Sequence, residues 1–145
     1  INPPSNLGVS PYEVLIIASL IEEEAALEEE RAKIARVIYN RLERSIPLGI
    51  DATIVYALGG DRELTLSDLA VDSPYNTRLV LGLPPTPISA PGRASIEAAL
   101  QPAQGDWLYY VRTDESGVGS HTFAVTQEDF NAAVLICVER ELGCG

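Results

Sequence analysis

Methionine is absent from this 145-residue sequence, tryptophan and histidine occur once each and phenylalanine twice. Little aromatic or thioether bulk is on hand, so a core must be built mainly from Ile, Leu, Val and Ala. Basic residues are also scarce, ten against 21 acidic ones, giving a formal net charge of −11. That balance excludes nucleic acid and any other partner held chiefly through phosphates. No run approaches the roughly 20 apolar residues of a membrane span. The opening INPPSNLG lacks the basic and apolar regions of a signal peptide, so any membrane attachment is expected in a segment outside this chain. One histidine and two cysteines, Cys137 and Cys144, cannot complete a structural zinc set. Neither metal nor organic cofactor is expected. The cysteines leave two readings open, a disulfide or a pair of free thiols.

What is present suffices for one hydrophobic core. A single domain is expected over residues 1–145, with 1–9 as a linker and 141–145 as a tail. Ser10-Pro11-Tyr12-Glu13 reads as a capped helix start, and the apolar run to Ile21 predicts a helix central to the core. A second helix is expected over about residues 28–44, with Arg41 and Arg44 in its last turn to suit the dipole. Asp51 to Leu58 reads as a short helix ended by Gly59-Gly60, and Thr65 to Asp68 as one turn. Residues 73–92 hold too many prolines and glycines for regular structure, and a loop this long usually serves function. A helix is expected next at Ala94 to Leu100. Trp107 to Val111 and Thr122 to Val125 then predict a hairpin across Ser116-Gly117-Val118-Gly119-Ser120. Trp107 is expected in the core. Thr126 and Asp129 cap a last helix. The class is α+β, a helical domain with a small antiparallel β-hairpin.

Glu22-Glu23-Glu24 would ordinarily be a solvated helix end. The helical period of about 3.6 residues separates them. Glu24 falls three, four and seven positions after Ile21, Leu20 and Ile17, so it continues the apolar stripe, Glu22 points away, and Glu23 lies at the margin. A carboxylate against aliphatic side chains has its charged form disfavoured, which makes Glu24 the candidate general acid. Asp51 has two readings, helix cap and cleft residue.

Ala18-Ser19-Leu20-Ile21-Glu22-Glu23-Glu24 resembles the segment that carries the catalytic glutamate of the YceG-like endolytic murein transglycosylases. Val37-Ile38-Tyr39-Asn40-Arg41-Leu42, Asp51-Ala52-Thr53-Ile54-Val55-Tyr56, Ser73-Pro74-Tyr75-Asn76-Thr77, Gly82-Leu83-Pro84-Pro85, Trp107-Leu108-Tyr109-Tyr110-Val111 and His121-Thr122-Phe123 match in order. The resemblance implies a lysozyme-like, lytic-transglycosylase-like fold. It also implies non-hydrolytic cleavage of peptidoglycan between N-acetylmuramic acid and N-acetylglucosamine, leaving 1,6-anhydro ends, with Glu24 as both acid and base. Tyr75 and Asn76 are expected to face Glu24, Asn76 touching the acetamido group, while Asp51, Thr53 and His121 contact substrate. Glycan strands are the implied partner, with cell-wall synthesis proteins beside them, at the periplasmic side of the inner membrane. The sequence departs from the family pattern at Gly49 (usually Gln), Ala25 (a hydroxyl residue), Arg78 (an aromatic) and Thr86 (glycine). The competing readings are a hydrolytic muramidase, whose second carboxylate would be Asp51 or Asp72, and a non-catalytic glycan-binding module.

Overall fold

The computed structural model describes residues 2–114 and 118–144. Part of the expected hairpin turn, at Ser116 and Gly117, lies outside the described residues. Helix α1 spans Pro11–Glu24, and its start is the expected capping box, with Ser10 and Glu13 bonding each other's backbone N–H. Val14, Ile17, Ala18, Leu20 and Ile21 are fully buried, so α1 runs through the core, packed against α2 (Arg31–Glu43), α3 (Asp51–Ala57) and α4 (Arg93–Leu100). Strands β1 (Tyr109–Arg112) and β2 (His121–Ala124) form the antiparallel hairpin, and α5 (Gln127–Glu139) packs on it. The α+β class holds. No helix among the described residues is long and apolar enough to cross a membrane.

Three consecutive side chains of α2 tie this helix to α4 and to the segment that leads into β1. Tyr39 donates to the Ala99 carbonyl at 2.7 Å, and Asn40 to those of Gly105 and Trp107 at 3.1 and 2.9 Å. Arg41 donates to Leu108 at 2.6 Å and to Pro47 at 2.7 Å. Arg41 lies in the last turn of α2, as expected. Its guanidinium turns inward, over the Tyr109 ring, and satisfies carbonyls that a loop would otherwise leave unpaired. Trp107 is displaced from its expected place. It is half-buried, next to the Phe123 ring, with Lys33 Nζ close to both rings.

The region 73–92 has no regular structure, as expected, yet it is firmly bonded. Ser19, buried in α1, accepts from Ile88 N–H at 3.0 Å, and its carbonyl accepts from Ser89 Oγ. At the other end Thr77 Oγ1 meets Ile50 N–H and Thr53 Oγ1, while Gly49 N–H bonds the Thr77 carbonyl. Asn76 is fully buried. Its amide donates to the Leu69 and Val71 carbonyls at 3.1 and 2.9 Å and accepts from Arg78 N–H at 3.1 Å. Asn76→Ala strips all three at once and should cost about 2 kcal/mol. Urea denaturation of the two proteins checks this, the midpoint falling with the slope unchanged.

Cys137 and Cys144 form a disulfide. It ties the segment after α5 back to that helix and settles the choice that composition left open.

Candidate active site

Helix α1 ends at Glu24, one turn beyond the buried Leu20 and Ile21. Glu24 therefore continues the apolar stripe to the point where the helix leaves the core. It lines an open cleft of about 510 Å³ whose other walls come from the Leu48–Asp51 segment, β1 and the end of α5. Burial pushes the Glu24 carboxyl above the usual carboxylate range. A hydrogen bond from Tyr110 and the nearby His121 pull it partway back, and Asp51 and Glu23 add to the rise. Glu22 behaves in the opposite way. It accepts from Gly92 N–H at 2.7 Å and Ser95 Oγ at 3.1 Å, and the Gly92 bond holds its carboxyl below the usual range. It fastens the start of α4 to α1, where the sequence suggested only a solvated side chain.

Tyr110 donates its hydroxyl to Glu24 Oε1 at 2.6 Å. Burial, reinforced by the Glu24 charge, pushes the phenol well above its ordinary value, so it stays a donor whichever form Glu24 takes. The hairpin aims it. Tyr110 pairs with Phe123 and Arg112 with His121, and alternation sets all four on one face. Tyr109 takes the other face and stacks on Phe130 of α5 at 4.9 Å. The hairpin is itself fixed to the start of α2, where the buried Glu30 accepts from His121 N–H and faces Nδ1, both at 2.9 Å. His121 also meets the Tyr110 ring edge-on at 5.4 Å. Gly119, with φ of +90°, lies where an added Cβ would collide with the Ala26 methyl, so the hairpin approaches the α1–α2 connection closely. Only glycine allows that.

Glu24, Asp51 and His121 are thus brought to one cleft. Asp51 is not the cap of α3. Ile50 is the N-cap residue and makes no side-chain cap bond, while Asp51 accepts from Arg78 Nε at 2.8 Å. Two expected substrate contacts are corrected. Thr53 and Asn76 are both fully buried, and their polar atoms are committed to bonds within the loop and to Ile50. Tyr75 is half-buried, and its hydroxyl meets Thr86 Oγ1 at 2.7 Å. The phenol bonded to Glu24 is instead that of Tyr110. Nothing in a single strand distinguishes Tyr110 from Tyr109; the choice of face belongs to the register and to what packs on each side. Arg78 and Arg112 also line the cleft, and sequence reasoning assigned neither a role there. Asp72 is exposed and lies outside the lining. Among the described residues no three His, Cys, Asp or Glu side chains gather as a metal site.

Residues 2–135 match the model of the YceG-like family. The chain is 44% identical over 126 residues to an endolytic murein transglycosylase of Bacillus subtilis, covering 86% of this chain and 34% of that protein. It is 38% identical over 143 residues to an endolytic murein transglycosylase of Streptococcus pneumoniae, covering 94% and 25%. The chain thus spans about a quarter to a third of the length of these relatives. A crystal structure of a YceG-like protein from Listeria monocytogenes superposes with a TM-score of 0.79 at 41% identity, over 88% of this chain and 40% of that one. Sequence and backbone agree over nearly the whole length, and the chain belongs to the YceG-like family.

Proposed function

We propose that residues 1–145 form one catalytic unit, a peptidoglycan lytic transglycosylase with Glu24 as its acid and base, acting at the extracytoplasmic side of the cell envelope. The observation that carries this reading is a single carboxyl group, desolvated and raised in pKa, bonded to Tyr110 at the wall of an open cleft. The relatives' names as endolytic murein transglycosylases support the substrate.

The chemistry rests on how Glu24 is held. Because Tyr110 donates to Oε1, a protonated Glu24 keeps its proton on Oε2. That proton passes to the glycosidic oxygen as the bond from the muramyl C1 breaks, and the substrate's own 2-acetamido oxygen covers the charge developing at C1. The muramyl 6-hydroxyl then attacks C1 and gives its proton to the Glu24 carboxylate. The acid is regenerated and a 1,6-anhydro ring is closed, with no water consumed. A hydrolytic enzyme of the usual kind sets a second carboxylate across the bond. Asp51, the other carboxylate lining the cleft among the described residues, is already occupied by Arg78, which favours the lytic route. Digestion of purified sacculi followed by mass spectrometry tests this. Muropeptides lighter by one water than reducing-end products are expected, and products ending in reducing sugars would assign a hydrolase.

A further inference from the structure

The cleft does not share the charge of the chain. Overall the protein carries a net −11, yet three arginines, Arg41, Arg78 and Arg112, line the cleft against two carboxylates, Glu24 and Asp51. Arg41 is spent on the carbonyls of Leu108, Pro47 and Leu48. The other two share a different arrangement. Arg78 is held through Nε by Asp51 at 2.8 Å, and Arg112 through Nε by Asp114 at 3.0 Å. In each case the two terminal Nη groups have no partner among the described residues. Their side chains are 33% and 37% exposed. A guanidinium pinned by one edge is pre-oriented, and its open Nη groups suit a carboxylate.

The two groups line the same cleft as Glu24. Arg112 lies two residues beyond Tyr110 on the same face of β1, opposite His121. Arg78 comes from the other wall, where Asn76 and Thr77 fix the backbone beside Gly49 and Asp51. Gly49 is exposed with φ of +62°, and a Cβ built there meets nothing nearer than Arg41 Nη1 at 3.8 Å. That stretch of wall is open, and a substituent projecting from a bound sugar has room to reach Arg78.

We infer that Arg78 and Arg112 form an anion-recognition site for carboxylates carried on the lactyl arm of the muramyl residues, so the cleft selects strands whose arms are charged. The inference rests on the transglycosylase reading and deepens it. Two sources share this chemistry, the carboxylates of a peptide stem and the lactyl carboxylate exposed when the stem is removed. Other anions on the strand would have to sit where the muramyl 3-substituent does.

The test is binding, so that it does not depend on turnover. Glu24→Gln protein is titrated with soluble strand fragments of three kinds: native, carbodiimide-amidated so that the carboxylates become neutral amides, and amidase-stripped. Amidation should weaken binding about tenfold at low salt, the scale of one charge-assisted bond, and added salt should narrow the gap. Stripped strands that bind like native ones show that the site takes either source, the newly exposed lactyl carboxylate replacing those of the peptide, and stripped strands that bind like amidated ones assign the peptide carboxylates alone. Adding Arg78→Gln or Arg112→Gln to the same background should shrink the native-to-amidated ratio toward one. Arg78→Lys should restore part of it, since charge returns without the planar fork. Thermal midpoints keep a folding defect apart from a lost contact. Equal binding of native and amidated strands overturns the inference, as does a ratio left intact in both glutamine variants. Wild-type protein that yields no anhydro product while this discrimination persists defeats the transglycosylase reading alone.

Discussion

Glu24→Gln is expected to abolish production of anhydro-muropeptides, with a loss of at least about 10²-fold, while the fold survives. Gln keeps the shape of Glu and can still accept the Tyr110 hydrogen bond, but it has no proton to give and cannot take one back. Because one group serves in both halves of the proposed reaction, neither half should be rescued by pH. The same substitution has a stability signature of definite sign. The Glu24 carboxyl is raised by burial in the folded chain, so its favourable contribution is complete below the unfolded-state pKa, about 4.3 for a free Glu. It is lost as pH rises through the higher folded-state value. The wild-type protein therefore carries the penalty of a desolvated carboxylate in neutral and alkaline solution, and the Gln variant does not. Thermal melts at about pH 4 and about pH 8 should show the variant gaining on the wild type only in the second. A variant as unstable as the wild type at both values would mean that Glu24 is well solvated. Equal damage from Glu23→Gln would remove the special status of Glu24 altogether, since Glu23 is exposed.

Tyr110→Phe should cost about tenfold or more in turnover, the worth of a hydrogen bond to a charged group. Its direction on the pH axis matters more than its size. The Tyr110 bond lowers the Glu24 pKa against the larger effect of burial. Removing the hydroxyl lets the carboxyl rise further, and the alkaline limb of the kcat/KM profile, where the protonated acid is lost, should move to higher pH. Phenylalanine keeps the ring packed against Phe123 and edge-on to His121, so the melting midpoint should change little. A purely structural tyrosine would lower activity without moving the limb. Activity across pH on a fixed batch of sacculi separates the two.

Local order along the chain was accessible from residue types alone, because caps, breakers and periodicity act over a few residues. The Ser10 cap, the break at Gly59-Gly60, the irregular stretch 73–92 and the Thr126 cap of α5 all depend on neighbours within a turn or two. The position of Glu24 on the apolar stripe belongs here too, since helical geometry is enough to separate it from Glu22 and Glu23.

The rest depended on how the chain folds back on itself, which no pattern of residue types fixes. Asn76 and Tyr75 are adjacent in the chain, and their motif suggested a shared duty at the glutamate. Packing instead buried the Asn76 amide among the carbonyls of Leu69 and Val71 and gave the Tyr75 hydroxyl to Thr86. The phenol at Glu24 came from Tyr110, which the hairpin register and the Glu30–His121 bonds carry to the end of α1. Glu30 itself reads as one acid in a charged run, yet it is buried because a histidine 91 residues away folds onto it. Cys137 and Cys144 were ambiguous for the same reason, since only the path of the chain after α5 decides whether they meet. Sequence alone thus determined the elements, the family resemblance and the carboxylate that leaves the core at a helix end. The tertiary structure decided which polar side chains surround that carboxylate, because a polar group's role depends on whether folding leaves it facing the cleft or obliges it to satisfy buried backbone.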